Sequence, residues 1–117
     1  MHENKILELA VKAADDKRAE NILALDMRGI SLISDYFLIC HGNSEKQVQA
    51  IATEIKKTAQ ENEIELKRLE GFDQARWVLI DLDDVVVHVF HKDERLYYNL
   101  EKLWGDAPTV DIEGVLE

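Results

Sequence analysis

The sequence predicts a single α/β (α+β) domain: a mixed sheet of about five strands with helices mainly on one face. Three observations lead to this class. The 117 residues suit one domain. Segments with the apolar period of a helix alternate with short apolar runs of strand length. A strand, a helix and a further strand form a crossover unit in the middle of the chain, and a hairpin follows it.

The first element is a helix over about residues 3–17, where Ile6, Leu9, Ala10, Ala13 and Ala14 follow the helical period. A strand follows over 21–27, with Leu23, Leu25 and Met27 alternating. "RGISLISD" reads as a loop around Gly29, and "YFLICH" at 36–41 is a continuous apolar run, the mark of a buried strand. Ser44 then caps a second helix, and Gln47 three residues later completes a capping box. Val48, Ile51, Ala52, Ile55 and Ala59 form its apolar stripe, and Asn62 ends it. "IELKRLEG" is a strand closed by Gly71. After the hairpin, Asp93 caps a last helix carrying Leu96, Leu100, Leu103 and Trp104, with Gly105 at its end. The domain is therefore assigned to 1–107, and the acidic residues 108–117 to a mobile tail.

The hairpin "WVLIDLDDVVVHVF", 77–90, is the most informative stretch. Asp83 and Asp84 form a two-residue loop, because Asp tolerates the positive φ that such loops need. That loop pairs Ile80 with Val87 and Val78 with Val89, so one face is wholly aliphatic and must be core. The other face pairs Asp81 with Val86, Leu79 with His88 and Trp77 with Phe90. A face of two aromatics, aliphatics, a histidine and an acid is not a solvated one. Either another element of the chain covers it or a partner does, since aromatics ringed by polar groups favour interface centres.

Composition bounds the function. A hydrophobic fraction of 46% and a charged fraction of 32% fit a globular domain. No apolar run reaches the ~18 residues of a membrane span. "MHENKILELA" has no long apolar stretch, so no secretory signal is expected, and one cysteine, Cys40, forms no internal disulfide. A cytoplasmic location is expected. The net charge of −10 argues against DNA or RNA as the main partner and favours a basic protein. Lys67 and Arg68 are too small a cluster to change that.

The candidates for chemistry are weak. Asp81 and Asp83, with Asp84, have the look of a metal-binding carboxylate pair used in nucleotidyl transfer. Such enzymes place a Gly-Ser pair at a helix start shortly before the carboxylates, whereas "GNS" at 42–44 is separated from them by a whole strand. The plainer reading is a turn. His41, His88 and His91 with Cys40 lack metal-ligand spacing. Cys40 with a histidine is a conceivable nucleophile, but a thiol in an apolar strand is usually inert core. The Gly42 turn before a helix suits an anion, and is also an ordinary connection. No catalytic residue, metal or cofactor is expected.

"ISDYFLICHGNSEKQVQAIA", "EG" at 70–71, "WVLIDLDDVVVHVF" and "RLYYNLEKLW", in that order, resemble the ribosomal silencing factors of bacteria and organelles, also called the Iojap family. The resemblance runs from about residue 6 to 107. It implies a nucleotidyltransferase-like fold without that catalysis, in small cytoplasmic proteins that are often homodimers. It implies binding to protein number fourteen of the large ribosomal subunit, with little direct RNA contact. Such binding blocks joining of the small subunit and represses translation, notably when nutrients are short. The partner-binding positions it implies are Trp77, Leu79, Asp81, His88 and Phe90 on the hairpin, with Tyr97 and Tyr98 on the helix after it. Two other classes stay open: an active nucleotidyltransferase-like enzyme, and a generic dimerisation or adaptor module.

Overall fold

The computed structural model describes residues 5–30, 34–94 and 107–112. Helix α1, Lys5–Asp16, buries Leu7, Ala10, Val11, Ala13 and Ala14. Helix α2, Glu45–Glu61, buries the expected stripe of Val48, Ile51, Ala52, Ile55 and Ala59. Both helices lie on one face of the sheet, in one core with Leu38, Cys40, Val78, Ile80, Val87 and Val89. Each large aliphatic side chain buried there contributes about 1.5–3 kcal/mol.

The α2 cap forms with one change of partner. The Ser44 hydroxyl accepts from the Gln47 amide at 3.1 Å. The Gln47 side chain accepts from the Asn43 amide at 2.8 Å, one residue earlier than a capping box requires. Its Nε2 donates to the carbonyls of Arg18 (2.9 Å) and Lys17 (3.3 Å), so the cap also ties α2 to the end of α1. Asn62 closes α2, donating its side-chain amide to the Thr58 carbonyl at 2.8 Å.

The strands are β1 (Glu20–Asp26), β2 (Tyr36–Gly42), β3 (Arg68–Glu70), β4 (Trp77–Asp81), β5 (Val85–His91) and β6 (Thr109–Val110). Among the described residues six strands, against about five expected, form one mixed sheet in the order β3-β4-β5-β2-β1-β6. Among these strands, β2 and β5 alone are paired in parallel. The expected crossover forms: the strand after α2 returns to the same sheet parallel to β2, though not as its neighbour. β3 lies at the edge, and the β4–β5 hairpin stands between the two. The physical reason lies in the residues. All seven residues of β5 are buried, which suits the middle of a sheet, whereas β3 is three residues long and carries exposed Arg68 and Glu70. A short charged strand is a protected edge.

The tail also differs from expectation where it is described. Thr109 and Val110 pair with β1, and the Asp26 amide donates to the Pro108 carbonyl at 2.8 Å. Ala107 and Ile112 are buried, Ile112 in the helix-side core. Residues 92–94 are helical. The rest of the expected last helix, Leu96, Tyr97, Tyr98, Leu100, Leu103 and Trp104 included, lies outside the described residues, as does Gly105.

Candidate functional site

The hairpin closes as its loop residues dictate. Asp83 takes φ +75°, and the Leu82 amide donates to the Val85 carbonyl at 2.9 Å. This pins the register: Trp77 faces Phe90, Leu79 faces His88 and Asp81 faces Val86. The aliphatic face, Val78, Ile80, Val85, Val87 and Val89, is fully buried under the helices.

The second face is divided rather than uniform. Phe90 is 0% exposed and His88 4%. Neighbouring side chains of the same face, Phe37 and Trp77 among them, pack against them. Phe90 joins a second, smaller core with Leu25, Met27, Ile39 and Ala107. The Phe90 and His88 side chains are both buried in the chain, at positions that the resemblance implied for partner binding. Asp81 is also nearly buried, and its carboxylate serves the turn. Oδ1 accepts from the Asp83 amide at 2.9 Å, and Oδ2 lies 3.6 Å from Arg68 Nε. Trp77 and Leu79, on the strand next to the edge, are only partly buried.

Trp77 is held by its neighbours. Its ring stacks on Phe90 with centroids 5.0 Å apart. Its indole N–H donates to His88 Nδ1 at 3.1 Å. An indole only donates, so Nδ1 is the acceptor and the imidazole proton sits on Nε2. Burial supports that neutral form, lowering the His88 pKa from 6.5 to about 4. Phe37 meets the imidazole edge-on at 4.9 Å.

Beside Trp77 opens a cavity of about 280 Å³, lined by Glu70, Gly71, Trp77 and Leu79. Gly71 has φ +79°, and a Cβ there would collide with the Trp77 carbonyl oxygen. Only glycine lets the turn after β3 lie this close to β4. Arg68 reaches Glu70 at 3.2 Å, and both remain well exposed. One guanidinium thus sits between two carboxylates, Glu70 and Asp81. In the sequence, Arg68, Glu70 and Gly71 read as part of a strand, with nothing to join them to the site. The glycine between that strand and Trp77 was the available signal.

The carboxylates and the "GNS" turn do not meet. Gly42 pairs with His91 at one end of the sheet, while Asp81 pairs with Val86 at the other. Five residues of β5 at about 3.3 Å each separate the two ends by roughly 17 Å. His41 lies 3.8 Å from Glu20 and His91 3.7 Å from Asp93, both at the Gly42 end. Cys40 is buried in the helix-side core. Among the described residues, no three His, Cys, Asp or Glu side chains gather as a metal-ligand set.

The family described as "Ribosomal silencing factor during starvation" matches residues 1–117. A ribosomal silencing factor of Halalkalibacterium halodurans is 75% identical over 116 residues, covering 99% of both chains. One of Bacillus subtilis is 73% identical over 113 residues, covering 97% of this chain and 96% of the other. A crystal structure of a Bacillus halodurans protein, 74% identical, superposes with a TM-score of 0.83, covering 92% of this chain and 97% of that one.

Proposed function

The chain belongs to the ribosomal silencing factor family, and from that premise we propose how it silences. It binds the large ribosomal subunit through the subunit's protein number fourteen. While bound it blocks joining of the small subunit, and translation falls when nutrients are short. It acts in the cytoplasm as a binding protein without catalysis. The roughly 17 Å between the hairpin carboxylates and the α2 start supports the non-enzymatic reading.

One observation carries the choice of surface. Trp77 and Leu79 are only partly buried beside an open cavity, on a sheet face where Phe90, Ile39, Leu25 and Met27 are buried and Phe37 and Leu23 are partly so. A rigid aromatic with an aliphatic neighbour and a charged rim of Arg68, Glu70 and Asp81 has the make-up of an interface centre. Phe90 and His88 act beneath that surface. Tyr97 and Tyr98 extend it in this reading, on the strength of the resemblance alone.

The test is co-sedimentation with purified large subunits, followed by addition of small subunits. Truncating a buried interface tryptophan commonly costs ~2–4 kcal/mol, roughly a 30- to 1000-fold loss of affinity. Trp77→Ala and Leu79→Arg should both lose the large subunit and restore joining. Leu79→Arg should do so with the fold intact, since Leu79 is partly exposed on a strand next to the sheet edge. Normal retention of both variants would move the docking surface elsewhere.

A further inference from the structure

We infer that His88 is a positioning residue for this docking surface: its Nδ1 fixes the rotation of the Trp77 indole on which the surface is built. The inference rests on the docking reading above. His88 faces Leu79 across the hairpin, so Trp77 is its diagonal neighbour, within reach of a large side chain. The two are joined by the 3.1 Å indole hydrogen bond. The imidazole is locked in turn by burial and by the edge contact with Phe37.

What histidine supplies here is specific. Its neighbours include Phe37, Ile39, Leu79 and Phe90, apolar groups that suit an apolar ring as well. Phenylalanine would fill the same space, but it offers no acceptor to the indole. Stacking on Phe90 fixes the plane of the indole but does not by itself fix which edge points into the sheet. The hydrogen bond does. It turns Nε1 inward, so the apolar part of the ring is presented beside Leu79 and the cavity. A side chain already held in its binding rotamer loses less freedom on docking.

The test uses the full ¹⁵N-labelled protein, with the Trp77 indole resonance assigned by Trp77→Phe. A scalar coupling across the N–H···N bond, between Trp77 Nε1 and His88 Nδ1, is expected in the unmodified protein, and its absence overturns the inference without any variant at position 88. His88→Phe should release the indole N–H to fast solvent exchange and weaken large-subunit binding roughly fivefold. His88→Asn, whose side-chain oxygen stands near the position of Nδ1, should restore both. A folded His88→Phe protein with unchanged indole exchange overturns the inference, and so does failure of His88→Asn to restore it. If the indole responds as expected while binding stays constant, positioning for docking is overturned. The Leu79→Arg protein then separates the causes: normal binding by that variant as well means that the docking surface itself was misplaced.

Discussion

At the scale of single residues, His88 and Gly71 show how the site depends on groups that make no surface. Burial depresses the His88 pKa to about 4 from 6.5, so between these values the unfolded chain binds more protons than the folded one. Stability from this group is complete above pH 6.5 and declines as pH falls toward 4, by on the order of 3 kcal/mol in full. His88→Asn should flatten the slope of unfolding free energy against pH within that window. An unchanged slope would assign acid sensitivity to other groups. Gly71→Ala combines a strained φ with a collision against the Trp77 carbonyl. It should cost about 2 kcal/mol or more, read as a lowered Tm, and should shift the Trp77 fluorescence. Val87→Ala serves as contrast. It opens a cavity on the helix side, costs about 2–3 kcal/mol, and leaves subunit binding by the folded protein unaltered. The hydrogen bond from Trp77 to His88 was not legible in the sequence, since period-2 alternation puts both side chains on one face without orienting either.

At the scale of elements, legibility follows how local the deciding interaction is. The hairpin was readable in full, because a two-residue loop at Asp83–Asp84 fixes every cross-strand pair by counting. The α2 boundaries were readable because Ser44 and Asn62 are local caps. The partner of β2 was not readable. Parallel pairing with β5 is decided by which strand is apolar on both faces, and that is a property of the finished sheet. The tail failed for a related reason. Its acids suggested solvation, yet Val110 and Ile112 alternate toward the helix-side core once Thr109 and Val110 pair with β1. A strand of two residues has almost no sequence signature of its own. Its contribution is measurable: Ile112→Ala should lower stability by about 2–3 kcal/mol, and the Asp26 amide, bonded to Pro108, should be protected from hydrogen exchange. A neutral Ile112→Ala would return this segment to the status of a loose tail.

At the scale of the whole molecule, charge sets how the docking face meets its partner. The chain carries 24 acidic and 14 basic residues. Around the closed end of the hairpin the imbalance is local as well: Glu65, Glu70, Asp81, Asp83 and Asp84 surround Lys67 and Arg68. The Lys67 pKa is raised, first by its hydrogen bond to Glu65 and then by the charges of Glu65, Asp83 and Asp81. A basic ribosomal protein approaching that end is attracted before any contact forms. The attraction is screened over about 10 Å at 0.1 M salt and about 8 Å at 0.15 M. The apolar contacts of Trp77 and Leu79 form only after encounter and respond little to salt. Association with the large subunit should therefore slow several-fold between roughly 50 and 300 mM salt, while dissociation changes little. Asp83→Asn with Asp84→Asn, both on the loop and away from the cavity, should reduce the salt slope without raising the dissociation rate. Stopped-flow association over a salt series measures both. A flat association rate would mean that the acidic balance serves solubility alone, and that the docking face finds its partner by apolar complementarity without steering.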